Sequence, residues 1–209
     1  MKRTNIFLSS VAVVALSACS EPAATAPDAA EPVQSKQDES VQAVAEAVSI
    51  DAGLTVGKQA PLTTSLLRNG EKTTLGEIVE NGPALIVFTR SVEWCPYCQT
   101  QLKSINTIVD DLKDRGYSLY GLSYDDPEQQ DRFSTNQMLQ YDMLSDQTSA
   151  VIDGFELRDP QYTEGRAVGV PYASVFLIDQ NGKIVAKSVS GDYKKRPTND
   201  QILALVDSI

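Results

Sequence analysis

The sequence predicts a three-layer α/β domain, with helices on both faces of a central mixed β-sheet. Three observations support this prediction. Residues 84–89 form a continuous apolar run of strand length, which is typical of a buried strand. Apolar residues at helical spacing follow that run, and strand and helix patterns then alternate along the chain. Two Asn-Gly pairs lie between apolar runs, as they do in β-hairpins.

The domain begins with a predicted hairpin. Residues 62–67 and 72–74 flank Asn69-Gly70, a strong short-range hairpin signal. A short helix is predicted over residues 75–80, because the sequence Asn-Gly-Pro that follows ends helices.

A longer helix is predicted from Pro96 to Gly116. Proline suits the first turn of a helix, since its missing N–H would have no helical partner there. The predicted core face carries residues at helical spacing, namely Cys98, Leu102, Ile105, Val109 and Leu112.

The second half of the domain continues the alternation of strands and helices. A strand over 117–124 leads into a helix that reaches about Gln140, and we interpret Asp125 and Asp126 as its caps rather than as metal or acid–base groups. The remaining predicted elements are a strand at 143–145, a brief helix near 148–155, a hairpin of 174–179 and 184–189 around Asn181-Gly182, and an amphipathic helix over 198–208.

The N-terminus has the layout of a signal peptide. Lys2 and Arg3 precede an apolar run over 6–16, which is shorter than the ~20 residues that span a bilayer. The run ends in Leu-Ser-Ala-Cys, which resembles the lipobox of bacterial lipoproteins. The resemblance implies that residues 1–18 are removed and that Cys19 is lipidated. The alternative is an ordinary signal peptide whose cleavage region contains a cysteine.

Residues 19–50 are interpreted as a lipidated N-terminus and a disordered tether, because they are rich in Ala, Pro, Glu, Gln and Ser and contain no aromatic residue. The folded domain is expected over 51–209. A lipid anchor would hold it to a membrane on the periplasmic side. In many Gram-negative lipoproteins an aspartate after the cysteine retains the protein at the inner membrane, so Ser20 favours the outer membrane.

The composition limits the classes of partner. The chain has 209 residues and a formal net charge of −10, which argues against a nucleic acid partner, since phosphate binding needs clustered Lys and Arg. The basic run Lys194-Lys195-Arg196 is interpreted as solvated surface. No heme, flavin or nicotinamide motif is visible, so no cofactor is expected.

The motif Cys95-Pro96-Tyr97-Cys98 is the strongest functional signal. The start of a helix stabilises an anion, so Cys95 can be a thiolate nucleophile although the chain has no histidine. Cys98 lies one turn later on the core face and is predicted to be the shielded, resolving thiol. The alternatives are a fixed disulfide and a zinc site. The short loop would add little stability, and zinc favours four Cys or His ligands.

Two resemblances extend this interpretation. The sequence Glu93-Trp94-Cys95 resembles the E-W-C of thioredoxins. Residues 54–208 as a whole resemble the alkyl hydroperoxide reductase/thiol-specific antioxidant family, the peroxiredoxin type, in VGKQAP, LIVFTR, GLSYDDPE, DMLSDQTSAVIDGF, VFLIDQNGKI and DYKKRPTNDQIL. The resemblance implies a thioredoxin-like α/β/α sandwich. It also implies a hydroperoxide, or a thiol or disulfide partner, as reactant.

The sequence departs from both families at the site. Peroxiredoxins carry P-x-x-x-T-x-x-C, and here Phe88 and Val92 stand at the Pro and Thr positions. The place of their arginine before the F-x-I-D strand is near Ala173. Thr89 stands where thioredoxins have a buried aspartate, and Pro171 is the candidate for their cis-proline.

Other residues near the motif are candidates for supporting roles. Trp94 and Tyr97 either shape a substrate surface or cover the site. Arg90 is a candidate partner for an anion or a sulfenate, although a salt bridge at the strand end is the favoured interpretation.

Three functions follow from these observations. The first is a membrane-anchored thiol-disulfide oxidoreductase that uses Cys95 and Cys98, supported by the C-P-Y-C pair and the missing Thr and Arg. The second is a thiol peroxidase in which Cys95 reacts with the hydroperoxide and Cys98 resolves the product. The third is a redox-inert lipoprotein that uses the fold as a binding module.

Overall fold

The computed structural model describes residues 49–209, which form seven strands and six α-helices. The strands, in chain order, are β1 (Ser65–Arg68), β2 (Glu71–Thr74), β3 (Ala84–Phe88), β4 (Ser118–Ser123), β5 (Asp142–Ser145), β6 (Ala173–Ile178) and β7 (Ile184–Ser190). The helices are α1 (Leu75–Val79), α2 (Pro96–Ile105), α3 (Val109–Asp114), α4 (Pro127–Gln137), α5 (Ala150–Gly154) and α6 (Asn199–Asp207).

The strands form one mixed sheet in the order β2-β1-β5-β4-β3-β6-β7. The three central strands β3, β4 and β5 are parallel, whereas β1 and β6 run antiparallel to their neighbours. The two predicted hairpins are β1–β2 and β6–β7. The predicted α/β fold with a central mixed sheet is therefore confirmed.

The two faces of the sheet are covered by different helices. Side chains alternate along a strand, so Leu85 and Val87 of β3 point into one cluster while Ile86 and Phe88 point into the other. The first cluster also contains buried residues of α2, α3 and α6, and the second contains buried residues of α1 and α5. The result is three layers, as the apolar patterns predicted.

Local sequence signals explain where several helices begin. Thr74, Asp126 and Thr198 are the N-caps of α1, α4 and α6, and each forms a capping box with Glu or Gln three residues later. Helix α2 begins at Pro96, with Cys95 as its N-cap. The positions of these helices therefore follow from short-range hydrogen bonds.

The predicted helix from Pro96 to Gly116 is broken in two. A 3₁₀ segment, Asn106–Ile108, separates α2 from α3. The Asn106 side chain accepts a hydrogen bond from the Gln140 N–H at 2.7 Å and donates to the Met138 carbonyl at 3.2 Å. The break therefore joins this helix to the segment that follows α4, and a helical pattern of apolar residues does not show such a contact.

The described chain begins slightly before the predicted domain boundary. Ser49 pairs with Ser190 of β7, and the Ile50 N–H donates to the Val189 carbonyl at 3.0 Å. The predicted signal peptide, lipidation site at Cys19 and most of the tether lie outside the described residues. Within residues 49–209, no helix is long and apolar enough to cross a membrane.

Three phenylalanines pack together in the part of the core that α1 and α5 cover. Phe155 lies between Phe88 and Phe176, with ring centroids 4.8 and 5.2 Å away, and all three rings are fully buried.

Phe155→Ala is expected to lower the free energy of unfolding by about 3–5 kcal/mol, because the cavity cannot be refilled. Urea unfolding of the oxidised protein measures this value. Val168→Ala, at an exposed position, is the control, and an equal loss in the two variants would contradict the expectation.

Candidate active site

The two cysteines of the C-P-Y-C motif lie at the start of α2 and form a disulfide. Cys95 is the N-cap, and its Sγ accepts the Cys98 N–H at 3.3 Å. Cys95 is 2% exposed and Cys98 is fully buried, as predicted for the shielded thiol. A negative charge on Cys95 would therefore face the unpaired N–H groups at the start of the helix.

The loop between β3 and α2 is anchored by Asp125, which comes from the end of the neighbouring strand β4. Ser91 Oγ donates to Oδ1 of Asp125 at 2.6 Å. The Val92 N–H and Ser123 Oγ donate to Oδ2 at 2.6 and 2.7 Å. The Ser91 hydroxyl also accepts the Glu93 N–H at 3.0 Å. A single carboxylate thus fixes the segment that leads into Cys95.

The interpretation of Asp125 as a helix cap is wrong, because its carboxylate faces the β3–α2 loop. Asp126 alone is the N-cap, and it accepts the Glu128 N–H at 2.9 Å. Burial raises the pKa of Asp125 above its usual value, and the hydrogen bonds from Ser91, Val92 and Ser123 oppose that shift. The Asp-Asp-Pro pattern suggested two caps, since sequence alone does not show which carboxylate faces the neighbouring strand.

Arg90 is buried under aromatic rings, and the predicted salt bridge is wrong. Its guanidinium carbon lies 4.0 Å from the ring centre of Tyr193, 4.4 Å from that of Tyr162 and 5.2 Å from that of Trp94. Arg90 is 4% exposed, and among residues 49–209 its Nε has no hydrogen-bond partner and its charge has no carboxylate partner. The rings therefore provide its stabilising contacts.

A second arginine, Arg196, reaches the disulfide, although no motif in the sequence predicts this contact. It follows β7 in the basic run that was interpreted as solvated surface. Its Nη2 donates to Cys98 Sγ at 3.1 Å, and the side chain is partly buried. The sequence shows only a basic residue two positions before the N-cap Thr198. The approach of this loop to α2 is a tertiary contact, so no local pattern indicates that Arg196 reaches Cys98.

The aromatic residues of the motif lie at the surface of the site. Tyr97 is 44% exposed and packs edge-on against Tyr193, with ring centroids 5.8 Å apart. A cleft of about 830 Å³ lies beside Trp94. Its lining is mostly polar and charged, and consists of Glu93, Trp94, Tyr124, Asp125, Asp126, Gln129, Gln147 and Arg166. Trp94 therefore contributes to an open surface and also packs against Arg90.

The residues at which the sequence departs from the family patterns are buried in the fold. Phe88 belongs to the core aromatic cluster, and Val92 is buried against the helices on the other face. The Thr89 hydroxyl is buried and has no hydrogen-bond partner among the described residues. No metal-ligating group of three or more His, Cys, Asp or Glu occurs within residues 49–209.

Pro171, the candidate for the thioredoxin cis-proline, has a trans peptide bond. No peptide bond in the described part of the chain is cis. Pro171 forms a bridge with Arg158, and the neighbouring Tyr172 N–H donates to the Leu157 carbonyl at 2.8 Å. Pro171 therefore does not reproduce the thioredoxin feature.

Comparisons with known proteins agree on the type of domain. A model of the AhpC/TSA family matches residues 56–187. The peroxiredoxin Bcp of Escherichia coli is 28% identical over 150 residues, which cover 72% of this chain and 94% of Bcp.

Two solved structures share the fold. They are the peroxidoxin BcpB of Mycobacterium tuberculosis, at a TM-score of 0.65 and 19% identity, and the peroxiredoxin Q of Xanthomonas campestris, at 0.62 and 23%. The first comparison covers 75% of this chain and 98% of the other, and the second covers 76% and 98%.

The raised pKa of Asp125 predicts a particular dependence of stability on pH. An acid whose pKa is higher in the folded state stabilises the fold below its unfolded pKa, about 3.9, and loses that contribution as pH rises through the folded value. Asparagine does not titrate. The free energy of unfolding of Asp125→Asn, relative to the original protein, should therefore improve from pH 4 to pH 7. Urea unfolding at several pH values measures this difference, and a constant or worsening difference would contradict the prediction.

Proposed function

The chain belongs to the AhpC/TSA family, and on that premise we propose that it is a thiol-dependent peroxidase that reduces hydroperoxides. Cys95 is the proposed peroxidatic thiol and Cys98 the proposed resolving thiol. The observation that carries this proposal is the position of Cys95 as the N-cap of α2, with Cys98 Sγ in bonding distance, in a domain whose relatives are peroxiredoxins.

The proposed reaction has three steps. The Cys95 thiolate attacks a peroxide oxygen, and the S–O bond forms as the O–O bond breaks and releases an alcohol or water. Cys98 then attacks the sulfenic acid of Cys95, so that a disulfide forms and water leaves. An external dithiol small enough to reach Cys95 reduces this disulfide by two electrons and is itself oxidised to a disulfide.

The burial of the sulfur pair supports a small oxidant. Cys95 is only 2% exposed, so a whole protein chain would have to displace the surrounding residues before its disulfide reached Sγ. A hydroperoxide needs far less space. The positive charge of Arg196, whose Nη2 contacts Cys98 Sγ, also favours a thiolate at the pair, the form that attacks peroxide.

Thiol-disulfide exchange is the second candidate function. It is favoured by the identity of residue 92. In peroxiredoxins a threonine at this place orients the peroxide, whereas Val92 has an apolar side chain that is buried in the core. Ala173, near the place of the family arginine, likewise has no group that can polarise an O–O bond.

For the peroxidase, Arg90, which lies in the β3–α2 loop, is the proposed substitute for that arginine.

The membrane anchor is proposed from the sequence alone. The Leu-Ser-Ala-Cys ending supports Cys19 as the lipidated residue, and Ser20 supports the outer membrane, with the domain on the periplasmic side. Cells grown with a labelled fatty acid should transfer the label to the protein but not to Cys19→Ala. An unlabelled original protein would contradict the proposal.

The peroxidase proposal predicts different defects for the two cysteine variants. With dithiothreitol as reductant, Cys95→Ser should consume hydrogen peroxide no faster than the buffer. Reduced Cys98→Ser, freed of dithiothreitol, should still react once with hydrogen peroxide, because the sulfenic acid of Cys95 forms but has no Cys98 thiol to condense with, and dimedone should label that sulfenic acid. Turnover by Cys95→Ser at the rate of the unchanged protein would contradict the proposal. Reduction of a protein disulfide without peroxide turnover would favour the second candidate.

A further inference from the structure

The Cys98 sulfur has a charged neighbour to which the three steps assign no role. Nη2 of Arg196 donates to Cys98 Sγ at 3.1 Å. Nη1 donates to Gln101 Oε1 at 2.6 Å, and Nε donates to the Tyr193 carbonyl at 2.8 Å. Because all three nitrogens are engaged, the guanidinium is held in one orientation against the sulfur.

The loop that carries Arg196 is held at both of its ends. Ser190, the last residue of β7, donates from Oγ to the carbonyl groups of Asp192, at 2.8 Å, and Lys195. Thr198, two residues after Arg196, is the N-cap of α6. The position of the guanidinium is therefore set by the sheet and by the last helix, rather than by the flexibility of a long surface side chain.

The positive charge of Arg196 has no carboxylate partner within residues 49–209. Burial and repulsion by Arg90 lower its pKa to about 10, so it is still charged at neutral pH. The carboxylate of Asp125 already accepts hydrogen bonds from three other groups. The other titratable or charged groups of the two segments that meet here are Arg90, Glu93 and Tyr97 in the segment of the cysteines, and Asp192, Tyr193, Lys194 and Lys195 in the segment of Arg196.

The resolving thiol needs help to ionise. A thiol attacks as its thiolate, and burial disfavours the charged form, so the fully buried Cys98 would be a poor nucleophile without a partner. The chain has no histidine, and Thr89 stands where thioredoxins have an aspartate. We propose that Arg196 is a further catalytic residue, whose guanidinium stabilises the Cys98 thiolate by direct contact with its sulfur.

This role would assist both halves of the cycle, and it rests on the proposed redox function of the pair. In ring closure, the Cys98 thiolate attacks the sulfur of the Cys95 sulfenic acid, the S–S bond forms, the S–O bond breaks, and hydroxide leaves and takes up the proton that Cys98 had released. In reduction, a dithiol attacks Cys95 and Cys98 leaves as a thiolate. A leaving thiol of lower pKa departs faster, so the same contact favours both steps.

The test is a pH titration of Cys98 in the full-length chain. The Cys95→Ser background removes the disulfide and the coupling between the two thiols, and Cys19→Ala in the same background leaves Cys98 as the one remaining thiol. ¹³Cβ-labelled cysteine then reports the ionisation of Cys98 by NMR without requiring access to the buried sulfur. Arg196→Gln should raise the midpoint of Cys98 by about 1–3 pH units, because it removes an opposite charge in contact with the sulfur. Arg196→Lys keeps the charge but loses the planar guanidinium. The Cys98 midpoint in this variant should therefore lie between the midpoint with Arg196 and the midpoint with Arg196→Gln.

Arg115→Gln is the matched control. Arg115 pairs with Asp207 of α6, away from the sulfur pair, so this substitution removes the same charge at a different site. Its Cys98 midpoint should equal that of the Cys95→Ser background. Equal midpoints with Arg, Lys and Gln at position 196 would overturn the proposal. The titration uses no peroxide, so a chain that fails to reduce peroxide would contradict the proposed function and leave this result unaffected.

Discussion

Two guanidinium groups at the site, that of Arg90 in the loop before Cys95 and that of Arg196 against Cys98 Sγ, have no carboxylate to neutralise them in the described part of the chain. Burying an uncompensated cation is costly, so the surrounding structure must stabilise it. Three aromatic rings do so for Arg90, and three hydrogen bonds do so for Arg196. A thiolate formed at the pair would supply a negative charge opposite these unpaired cations. The packing of the site is in this way linked to its chemistry.

The sheet explains why these groups meet. Strands β3 and β4 are parallel neighbours, so the segments that follow their carboxyl ends lie at the same edge of the sheet. The first segment leads to Cys95 and the second begins near Asp125. The Asp125 carboxylate joins the two segments, and it holds its negative charge against the Ser91 hydroxyl and the Val92 N–H rather than against the arginines.

The sequence was sufficient for features that depend on local signals. The strands, the two hairpins and the starts of most helices follow from apolar periodicity, Asn-Gly turns and caps, and the Cys95–Cys98 pair follows from its spacing. The roles of Asp125 and Arg196 could not be predicted in this way. Asp125 lies in a capping pattern and Arg196 in a basic run, and only the tertiary approach of distant segments gives each of them its contacts at the site.

The chemistry proposed for Cys95 requires an environment that makes this thiol a fast reductant of peroxide. Stopped-flow fluorescence of the reduced full-length chain tests it directly, because Trp94 is the only tryptophan and adjoins Cys95. We expect a signal whose rate rises in proportion to the hydrogen peroxide concentration, exceeds that of a free thiol and is absent from Cys95→Ser. A Cys95-dependent signal no faster than the oxidation of a free cysteine at the same pH would contradict it.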